Sequence, residues 1–427
     1  MDSFGKVTGS RRAIGVVALA SALALSGACT RNDPNQLLGG TGKGTCTDGA
    51  SSSSSGSSSS GATTGTTGAG GSGSGGSGAG GEKPTGTVLD ERVVDYNEAL
   101  RTAAFKLVGN APTLQQMLDL KAATKPAEAY AVLVDQMMTD TRFASRLIAF
   151  WQNTMRLGGP AAGQKPSRDT APTFAARVVF EGRPYTDLFT ASEHLCPTFD
   201  GSTFTDGECP NGPPAGILGD PGMNAQYHGN MAFRRNRFVQ ETFACRKQPS
   251  ELSATPKPMG AGSYTSPWPF ESIAGAGNGG RIDFHDVSSA ICANCHSTAN
   301  HRSPLFAYYD ENGKYQTTFQ VAVPVAGTPV AVMDDWLPPG EGLAWKFGVP
   351  VTDITGLGAA MAKDPEVISC AVKRMWNYAM SKGDIVIDAA DVPDQVVASF
   401  TAEFAANGHN LREVLRSMLV SPDFVRF

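Results

Sequence analysis

The chain has 427 residues, of which 41% are apolar and 18% charged, and a formal net charge of −5 at pH 7. With 35 basic against 40 acidic residues it lacks the electrostatic footprint of a nucleic-acid binder, and no fixed-period repeat marks it as a solenoid or propeller. Eight cysteines make the redox compartment the first question, because a thiol pair has different fates in oxidising and reducing surroundings.

Lys6, Arg11 and Arg12 precede the apolar run "AIGVVALASALAL", which is too short to span a bilayer and reads as an export signal. The run ends in "LSGAC", where small residues before Cys29 predict a bacterial lipoprotein signal over residues 1–28 and lipidation of Cys29. Ser26 stands where Leu is more usual, so ordinary signal-peptidase cleavage is the alternative; Ser10-Arg11-Arg12 points more weakly to twin-arginine export. Residues 29–86 are dominated by Gly, Ser and Thr, with too little apolar surface to offset the entropy of ordering the backbone. They predict a lipid-anchored tether with a root-mean-square reach of about 40 Å. The expected location is the bacterial cell envelope, on the outer membrane or the periplasmic side, with the membrane engaged through lipid.

The remaining chain is long enough for a large core. Residues 87–160 predict a helical amino-terminal domain. "DERVVDYNEALRTAAFKLVG" is periodic and closed by Gly109-Asn110, and Thr113 caps "LQQMLDLKAA". In "TRFASRLIAFWQNTMR" the helical spacing sets Phe143, Leu147, Phe150, Trp151 and Met155 on one face, a core stripe rather than a cofactor box.

Residues 161–282 are rich in Gly, Pro and turn residues and predict a loop-rich region with one Arg-rich helix, "FRRNRFVQETFAC". Cys196 and Cys209 lie within one loop, which a local disulfide would clamp in an oxidising compartment. Asp200 and Asp206 do not have EF-hand spacing and read as solvated turn carboxylates. Arg234, Arg235 and Arg237 have two readings: a solvated face with acidic partners nearby, or a contact to a haem propionate or an acidic partner protein. Cys245 and Cys370, each at a helix beside the segment described next, are a second candidate disulfide pair. Cys46 is left over in the tether.

Residues 283–427 hold the chemistry. Residues 292–296 read Cys-Ala-Asn-Cys-His, a pattern expected by chance only about 0.002 times at this composition. Zinc would need a fourth ligand and usually a second cysteine pair at suitable spacing, which is not visible; a thioredoxin-like pair would sit in a βαβ context. The spacing suits thioether links from Cys292 and Cys295 to the two haem vinyl groups, with His296 as proximal iron ligand. Covalent haem c is therefore the predicted cofactor. Candidates for a distal ligand are Met223, His228, Met231, His285, His301, Met333 and Met361. His228 is preferred because it lies in a Gly-containing loop before the Arg-rich helix, whereas His301 follows His296 too closely to reach the opposite haem face. Residues 308–333 alternate around Gly turns and predict a small β-hairpin, with Asp310 and Asn312 as turn residues. Three amphipathic helices follow, ending at "SPDF".

In order along the chain, "FKLVGNAPTLQQM", "LVDQMMTDTRF", "RRNRFVQETFAC", Cys292-x-x-Cys295-His296, Tyr309-Asp310 with Gly313-Lys314-Tyr315, and Cys370 with Tyr378-Ala379 resemble planctomycete-type c-cytochrome proteins of unknown function, also abundant in myxobacteria. Asn236 stands where that family has Gly. Asn300-His301 replaces its Asp-Pro, and Ser381-Lys382 its Gly-Arg. The resemblance implies a mainly α fold, with a helical amino-terminal domain and a helical cytochrome-c-like carboxyl-terminal domain, a small β-hairpin and long loops. It also implies a haem, places Cys245 and Cys370 on family cysteines, and names no reaction. The expected function is electron transfer with a redox partner protein. The alternatives are an extracytoplasmic haem oxidoreductase of peroxidase or oxygenase type, and a surface binding protein with structural haem.

Overall fold

The computed structural model describes residues 91–209, 212–247, 290–321, 330–337 and 340–427, with backbone alone for 230, 290–295 and 297. The export signal, Cys29, the tether with Cys46, and His285 lie outside the described residues. What is described belongs to one compact unit, Gly81–Phe427, and is mainly helical. The first helices are α1 (Tyr96–Leu107), α2 (Leu114–Ala122), α3 (Pro126–Thr139), α4 (Thr141–Met155), α5 (Thr170–Phe180), α6 (Asp187–Thr190), α7 (Pro221–Gln226) and α8 (Phe233–Phe243). After them come α9 (Ala290–Phe306), α10 (Ile354–Met361), α11 (Pro365–Ala379), α12 (Val386–Ala390), α13 (Asp394–Ala406), α14 (Leu411–Val420) and α15 (Pro422–Val425).

Local chemistry sets these boundaries. Asp95 Oδ1 accepts from the N–H groups of Asn97 and Glu98 to start α1, and Thr113 and Gln116 form a reciprocal capping box on α2. Asp364 caps α11, with Pro365 at its first position. That cap separates α10 from α11, and the carboxyl-terminal region has more than the three helices expected.

The stripe on α4 is buried as predicted: Phe143, Leu147, Phe150, Trp151 and Met155 all enter the main core. Against it lies α5, a helix that the loop-rich reading of residues 161–282 did not contain. Eight of its residues are buried, from Ala171 to Ala176 without a break, then Val178 and Val179. The helix is short and lies in a stretch rich in Gly, Pro and turn residues, whose signals dominate the local pattern.

Amino- and carboxyl-terminal helices share this core. Tyr130 on α3 donates to the Leu419 carbonyl on α14 at 2.9 Å, and Val93 and Phe427 exchange both backbone bonds at 3.0 Å. The expected hairpin after α9 reduces, among the described residues, to a single Tyr309–Tyr315 bridge. Asp310 organises that turn, its Oδ1 accepting from Asn312 and Lys314 N–H at 2.9 Å each, as expected for a turn residue. Gly313 has φ +71°, and a Cβ there would lie 1.9 Å from the Pro221 carbonyl oxygen. Only Gly lets this turn press on α7. The paired strands are elsewhere: β1 (Thr198–Phe199) with β2 (Phe204–Thr205), and β3 (Ala344–Lys346) with β4 (Val349–Pro350).

Asp220, 1% exposed, caps α7 through Met223 N–H at 2.7 Å and accepts from the Thr170 hydroxyl at 2.5 Å. Burial pushes its carboxyl up to about 6, against the lowering effect of those bonds. An acid raised in this way binds its proton longer when folded than when unfolded, so its contribution to stability is lost as pH climbs from about 4 to about 6 and stays lost above. Denaturant titrations across that window should show the wild type losing on the order of 2–3 kcal/mol relative to Asp220→Asn. Parallel pH profiles would refute the buried ionisation.

Candidate functional site

Positions 292, 295 and 296 fall on α9 at i, i+3 and i+4, so the helical backbone brings them to one side of the helix. The side chains of Cys292 and Cys295 lie outside the described residues. That of His296 is described. Its Nδ1 lies 3.0 Å from Asn300 Oδ1, one turn on. An amide oxygen only accepts, so Nδ1 carries the proton and the lone pair of the neutral ring is on Nε2. Burial holds the imidazole below its ordinary pKa, opposed by the Asn300 bond, which keeps it neutral at pH 7. The ring sits edge-on to Phe233, with centroids 4.8 Å apart and an interplanar angle of 84°.

Phe233 opens α8 directly after Met231 and Ala232, both in the left-handed region at φ +52° and +61°. Met231 O accepts from Trp336 Nε1 at 3.1 Å, which holds this turn. From there α8 packs along α9 and is bonded to it twice. Gln240 Oε1 accepts from Arg302 Nη2, and Arg235 Nη1 donates to Phe306 O at 2.7 Å. A neutral imidazole with an oriented Nδ1–H on a clamped helix is the donor chemistry that a c-type haem iron takes from its proximal ligand. Within what is described, the residues fit that group.

The three arginines of α8 have fates that sequence position did not distinguish. Arg237 pairs with Glu241 at 2.9 Å one turn on, and Arg234 donates to His228 O. Arg235 is fully buried and is neither a solvated charge nor an ion-pair partner among the described residues. It donates to the carbonyls of Asn224, Phe306, Tyr309 and Asp310.

His228, the preferred distal ligand, has its Nδ1 3.2 Å from Arg235 Nη2. Guanidinium only donates, so the proton of the neutral His228 ring is on Nε2. As placed, it would bind iron only after exchanging its tautomer and giving up the Arg235 bond. His301 Nε2 lies 2.9 Å from Glu341 Oε2, Met223, Met231 and Met361 are fully buried in the main core, and Met333 is partly buried at its edge.

Both expected disulfides are present. Cys196 and Cys209 are bonded with Cα atoms 5.1 Å apart, and Cys245 and Cys370 join the end of α8 to α11 with Cα atoms 5.4 Å apart. Cys196, Cys209 and Asp220 form the one cluster of metal-type ligands among the described residues; with its sulfurs bonded to each other it offers no thiolate. Asp200 accepts from Ser202 and Thr203 N–H, as a turn carboxylate does, whereas Asp206 pairs with Arg177 on α5 at 2.5 Å.

Asn300 and Arg302 were not singled out for this site from the sequence. Reading residues 290–306 as a helix would have placed Asn300 beneath His296, but "AICANCHSTANHRSPLF" has no apolar stripe to announce one. No protein-family model, curated protein or solved structure matches this chain.

Proposed function

We propose that the protein is a c-type haem protein of the bacterial cell envelope that carries electrons to or from a protein partner. The observation that carries the reading is Cys292-x-x-Cys295-His296 behind an export signal, with His296 Nδ1 committed to Asn300 so that Nε2 has the ligand lone pair. The resemblance to planctomycete-type c-cytochrome proteins supports it and extends it to a cytochrome-c-like carboxyl-terminal domain. Bound haem supplies a one-electron iron couple. The chain's part is to present His296, orient its ring through Asn300 and Phe233, and stiffen α9 against α8. Lipidation of Cys29 and the tether of residues 29–86 would hold this unit near a membrane while letting it reach a partner.

Mass spectrometry of protein produced with a cytochrome c maturation system tests this. The folded unit should carry one covalent haem, with a c-type absorption spectrum that responds to reduction, and Cys292→Ser with Cys295→Ser should remove both. An acyl mass on Cys29 is expected in the same spectrum. Bare polypeptide after competent maturation would overturn the reading.

A further inference from the structure

Arg302, on the same helix as His296 and six residues further on, is 3% exposed. Its Nη2 donates to Gln240 Oε1 and, at 3.4 Å, to Thr298 Oγ1, and the guanidinium lies 4.9 Å from the centroid of the buried Trp345 ring. Its Nε–H is buried with no hydrogen-bond acceptor. No carboxylate lies within ion-pair distance of it among the described residues. A buried cation left without a counter-charge is destabilising by several kcal/mol, and burial pushes this guanidinium down to about 9, so it remains charged at neutral pH.

The acids around it are already engaged. Glu366 takes Arg246 and Lys346, and Asp364 takes Lys346 at 2.6 Å and Trp345 Nε1 at 2.5 Å. Glu341 is held by His301, the residue before Arg302. Among the described residues, then, the charge of Arg302 meets no carboxylate at ion-pair distance and its buried Nε–H meets no acceptor; both describe a receptor for a carboxylate. Arg235, the other buried guanidinium of this helix pair, is different: main-chain carbonyls take up its donors.

The geometry points to Arg302 as a carboxylate-receiving residue of the haem site, neutralising an ionised haem propionate. This rests on the haem reading above. The same chemistry could come from a carboxylate of the chain itself, and the experiment separates the two sources.

Haem-loaded wild type, Arg302→Gln and Arg302→Lys are compared by midpoint potential as a function of pH. Glu341, His301, Asp364, Glu366 and Lys346 are common to all three, so only the difference between proteins counts. With Arg302 present the propionate stays ionised and contributes no pH dependence near neutrality. In Arg302→Gln the midpoint should fall with rising pH as the unpaired propionate loses its proton, and Arg302→Lys should restore most of the wild-type profile. Parallel profiles for wild type and Arg302→Gln, with haem bound in both, overturn the inference but leave the haem reading standing. Absence of covalent haem from every preparation sinks both.

If the carboxylate belongs to the chain, Arg302→Gln should destabilise the Cys292→Ser, Cys295→Ser protein as much as the haem-loaded one, and the propionate assignment fails. Should Arg302→Gln not fold, the wild type decides alone. A propionate protonation band in its redox-difference infrared spectrum between about pH 6 and about pH 8 overturns the assignment, and its absence upholds it.

Discussion

Replacing Arg235 by Met should lower the stability of the folded unit by about 3–5 kcal/mol, a loss read from the denaturant midpoint. The side chain is fully buried, and its donors reach Asn224 O at 2.6 and 2.9 Å, Phe306 O at 2.7 Å, Tyr309 O at 2.8 Å and Asp310 O at 3.0 Å. Met fills much of the volume and supplies no donor, so four carbonyls from three segments lose a partner where water cannot replace it. Arg235→Lys should rescue little, because an ammonium cannot reproduce a planar fork spread over these acceptors. Since the contacts fasten the end of α9 and the turn after it to α8, haem loading should fall along with stability. His228, now held below its ordinary pKa by burial and then by the Arg235 charge, should titrate higher in Arg235→Met, which histidine proton NMR can follow. A stability loss under about 1 kcal/mol would show that the carbonyls find other partners and that Arg235 is no hub.

Removing the Cys245–Cys370 bond in Cys245→Ser, Cys370→Ser should have an effect of similar size. The bond closes a separation of 125 residues, for which restriction of the unfolded chain is worth about 4–5 kcal/mol. The Cys196–Cys209 bond, with a separation of 13, should contribute about 3 kcal/mol by the same reasoning. The longer bond joins the end of α8 to α11, where Arg374 also donates to Thr242 O at 2.9 Å and Glu241 O at 3.0 Å. Its loss should therefore loosen α8 from α11 before it affects the distant packing of α1 on α3. Hydrogen exchange resolved by segment can check that order. Free thiols titrated at Cys245 and Cys370 in the folded wild type would contradict the pairing itself.

Much of the fold was legible because it rests on local rules. Helical period placed the α4 stripe, and Thr113 announced the start of α2, since caps and amphipathic faces involve residues within a turn or two of each other. The same rules fail where a short helix lies among Gly, Pro and turn residues, as in α5, or where polar function replaces an apolar stripe, as in α9. Of the expected β-hairpin, residues 322–329 lie outside the described residues, and the described part shows one Tyr309–Tyr315 bridge. Alternation around Gly313 describes a turn as well as a strand pair, and contact with Pro221 lies outside any local window.

For the candidate site the division is similar. Spacing alone singled out Cys292, Cys295 and His296, because covalent attachment of one flat cofactor is a constraint on neighbours in the chain. Pairing of Cys196 with Cys209 was legible from proximity within one loop, and Cys245 with Cys370 from compartment and cysteine count. Only the tertiary structure decided what the arginines do. Arg235 and Arg237 are two positions apart on one helix, yet one is buried and feeds main-chain carbonyls while the other is exposed and pairs with Glu241. Arg302 stands out only when α8, β3 and α11 close around it and, among the described residues, Asp364 and Glu366 pair with Arg246 and Lys346 instead. Burial and partnership belong to segments far apart in sequence, and those determine whether a charged side chain is surface, scaffold or site.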